Sequence, residues 1–226
     1  ALELQVVNGQ HRLQAGLHAA LPREAAAGLE VHGVFEAAHD LGGIDIAEFD
    51  LVHRLPVEAH GEDGILAQNG VTELVVIAQD TTRYGKDIYG EYKLAELLRE
   101  LCKIDGFKWI RTLYAYPDKI TDELLDTIAN EEKLVKYLDI PLQHCNKEIL
   151  GRMRRGGSRE ELSALMRHIR EKVPGVTLRT TLITGFPGET EEDHAESCRF
   201  VQKIGFADLH VFPYSLREGT AAAKLD

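Results

Sequence analysis

The 226 residues, 44% apolar and 28% charged, suffice for one domain with a sizeable core and exclude a disordered or fibrous chain. No apolar run approaches the roughly 20 residues that span a bilayer, and no basic-then-apolar leader opens the sequence, so a cytoplasmic protein with no membrane partner is expected. A net charge of −11 weighs against a broad nucleic-acid footprint but suits recognition of a basic protein, such as a ribosomal one.

The charge is uneven. Residues 1–70 hold three basic residues (Arg12, Arg23 and Arg54), eleven acidic ones and no lysine, whereas 71–226 hold 23 basic and 26 acidic. Six of the ten histidines fall in the first sixty positions, at spacings that fit no metal signature. Residues 1–69 are therefore expected to form an atypical, poorly structured segment, with 29–41 and 44–57 its best element candidates. From residue 70 a regular domain is expected to run to 226.

In chain order, the β-branched run over 72–78 predicts a buried strand, and leucines at helical spacing predict a helix over 91–103. A second strand is expected over 108–114, then a helix capped by Thr121 with Asp122 and Glu123 in its first turn. A third strand over 135–141 leads to a helix over 147–153. Ser158 with Glu161 forms the signature of a capping box for a helix ending near Lys172. A strand over 176–183, a helix over 191–204 and a strand over 208–212 complete the series. This alternation predicts an α/β fold, a parallel sheet wound into part of a barrel, with right-handed crossovers placing every strand's carboxyl end on one rim.

Polar residues collect at those ends: Gln79-Asp80-Thr81-Thr82, Tyr114 to Pro117, Gln143-His144, Thr184 to Glu189 and Tyr214-Ser215. Such rims are where parallel barrels assemble their sites. Asp80 and Glu189 are candidate acid–base groups, but no serine, cysteine or histidine stands in an obvious nucleophile triad. No Walker loop or GxGxxG is present, which disfavours nucleotide phosphate chemistry. Gly185 and Gly188 would let backbone approach a flat ligand closely. Cys102, Cys145 and Cys198 lie 43 and 53 residues apart, too far for a local metal motif. Cys102 and Cys198 read as helical filler; Cys145, just past a strand end, is a candidate to face a pocket. These residues alone imply a small-molecule site on a partial parallel barrel and leave the ligand open.

The same corners resemble the radical S-adenosylmethionine methylthiotransferases. The likeness lies in 75–85 (VVIAQDTTRYG), 109–117 (WIRTLYAYP), 137–144 (YLDIPLQH) and 178–190 (LRTTLITGFPGET), followed by Tyr214-Ser215 and Glu218-Gly219-Thr220. The Gln79-Asp80-Thr81-Thr82 and Gln143-His144 forms favour the RimO-type branch, which modifies an aspartate of a small-subunit ribosomal protein. The sister branch acting on isopentenyladenosine in transfer RNA is less similar. The resemblance implies a barrel holding S-adenosylmethionine on a [4Fe-4S] cluster. It further implies that reductive cleavage of the cofactor by the cluster's electron yields a 5′-deoxyadenosyl radical that takes hydrogen from the aspartate β-carbon, that a second cluster helps deliver sulfur, and that another S-adenosylmethionine supplies the methyl group. It also makes Gln79, Asp80, Gln143, Arg179, Gly185 and Glu189 the candidate cofactor contacts, with Gly185 to Glu189 around the adenine.

One departure is large. The family's Cys-x-x-x-Cys-x-x-Cys loop should precede residue 70, yet residues 1–69 contain no cysteine. Three thiolates at short spacing are what leave the fourth iron open to the cofactor. No metal ligand or catalytic residue is therefore assigned in this chain. The family's amino-terminal cluster domain and carboxyl-terminal β-domain are expected to be absent from this fragment. The expectation is a catalytic-barrel fragment lacking its first strand and inactive as it stands, the alternatives being the transfer-RNA methylthiotransferase or a non-catalytic remnant or binding module. Residues 1–69 are hypothesised to be an out-of-frame or misjoined reading, which translation of the upstream DNA in all frames would test. Without a first strand, the strand over 72–78 is expected to expose an open edge.

Overall fold

A computed structural model describes residues 3–8, 11–13, 67–68 and 70–225. The elements expected over 29–41 and 44–57 lie outside those residues. The strands are β1 (Glu3–Asn8), β2 (His11–Leu13), β3 (Glu73–Ile77), β4 (Trp109–Thr112), β5 (Tyr137–Asp139), β6 (Thr177–Thr184) and β7 (Asp208–Pro213). The helices are α1 (Lys86–Tyr89), α2 (Leu94–Cys102), α3 (Asp122–Asn130), α4 (Lys147–Arg152), α5 (Arg159–Lys172) and α6 (Glu191–Ile204).

β3 pairs in parallel with β4, β5 with β6, and β6 with β7. A parallel bridge from Ile110 to Leu134 carries the sheet from β4 towards β5. Ile110 N donates to Lys133 O at 2.8 Å and Val135 N to Ile110 O at 3.1 Å. Five parallel strands thus run side by side in chain order, the arc of a barrel with all carboxyl ends on one rim.

Strand alternation decides which side faces the helices. Leu74, Val76, Ile110, Leu138, Leu178 and Leu182 are buried in one core with α2 residues Leu97, Leu98 and Leu101, α3 residues Leu124, Leu125 and Ile128, and α5 residues Met166 and Ile169. The opposite face carries Glu73, Arg111, Tyr137, Asp139, Arg179 and His210. That face mixes these groups with apolar ones, Val75 standing opposite Arg111 and Ile183 opposite Phe212.

Helix starts follow their caps. Thr121 Oγ1 accepts from Leu124 N at 3.2 Å. At α6, Thr190 Oγ1 accepts from Asp193 N at 3.2 Å and Asp193 Oδ2 accepts from Thr190 N at 3.0 Å, a complete capping box. The box expected at Ser158 forms only in part. Ser158 Oγ accepts from Glu161 N at 3.3 Å, but the Glu161 carboxylate takes the Ser158 hydroxyl, at 3.0 Å, rather than its amide. α1 was not anticipated. It is a four-residue turn bracketed by Gly85 (φ 85°) and Gly90 (φ 72°), too short to carry a periodic signal.

The open edge expected on β3 is corrected by the topology. β1 lies antiparallel along it, with Glu3 opposite Ile77 and Val7 opposite Glu73, and β2 in turn pairs with β1. The edge is filled by a strand of the opposite sense, Glu3–Asn8. Among the described residues, no helix is long and apolar enough to cross a membrane.

Candidate cofactor site at the strand carboxyl ends

After β3 the chain enters a short 3-10 turn, Thr81–Arg83, capped by Asp80. Asp80 Oδ1 accepts from Thr82 N at 3.0 Å and also from the Thr82 hydroxyl. Thr81 N and its hydroxyl both donate to Tyr114 O, at 3.0 and 3.2 Å, which stitches this corner to the one after β4. Asp80 is therefore occupied in holding its own corner, while Gln79 stands exposed at the end of β3.

The corner after β4 is fixed to the next by Arg155. Its Nη1 donates to Pro141 O and its Nη2 to the Tyr116 hydroxyl, both at 2.9 Å, and its guanidinium carbon lies 4.4 Å from the centre of the Tyr116 ring. Burial pushes this arginine below its ordinary pKa. Arg155 was not singled out in the sequence, because its partners lie 14 and 39 residues away.

Gln143 occupies the corner after β5 with φ 71°, in the left-handed region that a non-glycine residue adopts at a cost of about 1–2 kcal/mol. Its backbone extends the sheet, Gln143 N donating to Thr181 O and Ile183 N to Gln143 O, both at 2.8 Å. Its side-chain Oε1 is buried without a hydrogen-bond partner among the described residues; Asp139 Oδ2 and the Tyr214 hydroxyl share that condition. The left-handed backbone and the orphaned acceptor coincide at this one residue.

Residues 185–189 form the next corner. Gly185 (φ 70°) and Gly188 (φ 86°) turn the chain, and Glu189 closes it. Glu189 Oε2 accepts the amide of Gly185, and that of Phe186 at 3.1 Å. Its Oε1 lies 3.3 Å from His144 Nε2 and 3.5 Å from His194 Nδ1, and the side chain is only 4% exposed. Gly185 is exposed and a Cβ there would meet nothing within 4 Å, so the turn leaves room against its backbone. Phe186 packs edge-on against Tyr214, with 5.3 Å between ring centres. The arrangement makes Glu189 a carboxylate that shapes the turn. The sequence showed Glu189 as a polar corner residue but not that its oxygens fold back on Gly185 and Phe186.

Arg179 sits on the polar face within β6, not in a corner. Its Nη1 donates to Asp139 Oδ1 at 2.8 Å, its Nε to Asp208 Oδ2 at 3.0 Å, and its Nη2 lies 2.6 Å from His210 Nδ1. Arg111 and Glu73 form a second pair at 2.8 Å on the same face, with the Arg111 guanidinium 5.0 Å from the Tyr137 ring centre. The structure thus groups Gln143, Gly185 and Glu189 on adjoining corners, places Gln79 and Asp80 at the end of β3, and sets Arg179 within the sheet.

The cysteines do not converge. Burial pushes the Cys102 thiol up to about 11 and raises Cys145 as well, so both favour the neutral form over the thiolate that iron requires. Cys145 is wholly buried, not facing a pocket, with its sulfur 3.5 Å from Ser197 Oγ. Among the described residues, no group of three or more His, Cys, Asp or Glu side chains is arranged to hold a metal ion.

Residues 57–201 match the family model of the radical SAM superfamily. The chain is 52% identical over 172 residues to the ribosomal protein uS12 methylthiotransferase RimO of Lachnoclostridium phytofermentans, covering 76% of this chain and 39% of that one. It is 49% identical to the protein of the same name from Clostridium tetani, covering 73% and 37%. The chain therefore spans less than two-fifths of the length of these curated relatives. Among solved structures, coproporphyrinogen III oxidase (HemN) of Escherichia coli superposes with a TM-score of 0.50 at 25% identity, over 59% of this chain and 31% of that one. The methyltransferase TsrM of Kitasatospora setae, solved with cobalamin and a [4Fe-4S] cluster, gives 0.52 at 18% identity over 66% and 29%, a likeness of fold alone. The chain belongs to the radical SAM superfamily and is similar, over the matched residues, to its RimO-type members.

Proposed function

We propose that this chain is the cofactor-holding barrel of a cytoplasmic methylthiotransferase acting on a small-subunit ribosomal protein, and that as its sequence stands it binds S-adenosylmethionine without cleaving it. The observation that carries the assignment is the near-half identity to RimO proteins, each named for its action on ribosomal protein uS12, over some three-quarters of this chain.

The residues present fit S-adenosylmethionine. Gln143 Oε1, Asp139 Oδ2 and the Tyr214 hydroxyl are buried polar atoms awaiting partners, and a bound amine or hydroxyl would satisfy them. Gly185 gives a side-chain-free approach for a planar base, with Phe186 and Tyr214 as the apolar wall beside it. Bound there, S-adenosylmethionine would bring the methyl group of the family's chemistry, while hydrogen abstraction would need the reductive cleavage that this chain is not equipped to carry out. Arg179 holds Asp139 in place, and Arg155 with Tyr116 braces the neighbouring corners against solvent entry.

The residues do not fit an iron–sulfur cluster. Three dispersed cysteines, of which buried Cys145 and half-buried Cys102 are disfavoured as thiolates, cannot replace three thiolates on one loop. No step is therefore derived through a cluster. We extend the proposal to residues 1–56 as a segment foreign to the family pattern; the sequence expectation set its end at residue 69, and the family match begins at residue 57.

Two measurements on the full chain test this reading. Calorimetric titration should give saturable binding of S-adenosylmethionine, and its absence would overturn the cofactor assignment. Anaerobic reconstitution with iron and sulfide should give no charge-transfer absorption and no 5′-deoxyadenosine. A cluster that cleaves the cofactor would overturn the claim of inactivity.

A further inference from the structure

His144 is 1% exposed and lies between the two corners that carry the candidate cofactor contacts. Its Nδ1 accepts the backbone amide of Asn146 at 2.9 Å. An N–H can only be met there by a lone pair, so the ring proton sits on Nε2. Nε2 lies 3.3 Å from Glu189 Oε1 and 3.3 Å from Ser197 Oγ, and Ser197 in turn reaches Cys145 Sγ at 3.5 Å. The Nε2 proton faces both the carboxylate and the hydroxyl, and Ser197 Oγ with Cys145 Sγ closes the chain as a pair in which either can donate.

The flanking residues are pinned in the same way. Asn146 Nδ2 donates to Asp193 Oδ1 at 2.6 Å, and its Oδ1 caps α4 by accepting Glu148 N at 2.8 Å. The 144–146 segment is thereby held against the first two turns of α6, while Gln143, one residue earlier, is held in its left-handed conformation by two bonds to β6. The carboxylate that His144 meets is the one that gathers the Gly185 and Phe186 amides.

We propose that His144 is a positioning residue for the cofactor: its Nε2–H holds Glu189 in the orientation that shapes the 185–189 turn and fixes that turn relative to Gln143. This rests on the reading of the rim as an S-adenosylmethionine site. A serine or other short residue at 144 would leave Glu189 Oε1 to His194 alone, an exposed side chain that carries no comparable constraint.

Asparagine and glutamine separate the two ring nitrogens. Asn places a polar group near Nδ1 and loses the donor to Glu189, whereas Gln places an amide N–H near Nε2 and keeps it. In the full chain, His144→Asn should weaken S-adenosylmethionine binding about ten-fold, the expected loss of a charge-assisted bond, and His144→Gln should stay within about three-fold. Backbone hydrogen exchange at Gly185 and Phe186, read by NMR without ligand, should speed up in His144→Asn and Glu189→Leu but not in His144→Gln. Equal loss of affinity in Asn and Gln variants, or unchanged exchange at those two amides in His144→Asn, would overturn the proposal. Should the unaltered chain not bind S-adenosylmethionine, the cofactor reading fails on its own and the exchange measurement still decides the role of His144.

Discussion

Arg179 and Asp139 are direct partners in the β5–β6 register, and their side chains meet at 2.8 Å with the carboxylate 1% exposed. Arg179 is equally the register partner of Asp208 in β7, whose carboxyl it holds below the usual range through a hydrogen bond. One guanidinium thus joins three consecutive strands on the polar face. Breaking such a pair strands a buried charge, so Arg179→Met should lower stability by about 3 kcal/mol, seen as a lower urea midpoint. Asp139→Asn in the same background should recover part of that loss, because the stranded charge is gone.

Two glycines that share a positive φ should respond differently to alanine. At Gly185 (φ 70°) a Cβ meets nothing, and the cost is the left-handed conformation alone, about 1 kcal/mol. At Gly85 (φ 85°) it would stand 2.7 Å from Lys93 Cβ and 3.1 Å from Glu91 O, neither of which is the free end of a chain. Thermal unfolding should show Gly85→Ala to be clearly the more destabilised variant, and equal melting temperatures would contradict the packing seen at that corner.

Acid sensitivity should trace in part to the α6 cap. The Thr190 hydroxyl and then its amide hold Asp193 below the ordinary carboxylate range. A depressed folded pKa contributes stability that is present above the unfolded value, about 4, and is lost as pH falls through the lower folded value. Asp193→Asn should remove that dependence. Urea unfolding from neutral pH down to about 3 should therefore fall less steeply in the variant; parallel curves would count against the cap as the source.

The pairing of β1 with β3 makes the first residues part of the sheet. Removing residues 1–13 should bare the β3 edge and promote self-association, measured by sedimentation velocity against the full chain. A truncated protein that sediments as the full chain does would show that β1 is dispensable as a cover.

Much of this architecture is readable from local chemistry. Thr121, Ser158 and Thr190 announce their helices, and the apolar runs at 72–78 and 176–183 announce β3 and β6, because caps and alternation act over a few residues. What escapes the sequence depends on register between distant strands. Arg179 gives no sign that Asp139 and Asp208, 40 and 29 residues away, will flank it. Glu189 reads as a free acid, and only the closed turn shows both oxygens spent on Gly185, Phe186 and His144. The covering strand β1 comes from a segment whose periodicity is weak, so an open edge was the natural expectation.

The most direct test uses the strain at Gln143. Glycine adopts φ 71° freely, so Gln143→Gly should fold with stability within about 1 kcal/mol of the original while removing the orphaned acceptor. Titrating S-adenosylmethionine into both full-length proteins should show saturable binding to the original chain and binding weakened by about ten-fold or more in the variant. Equal affinity in a stably folded Gln143→Gly protein, or no saturable binding to the original chain, would contradict the account of this rim as a cofactor site.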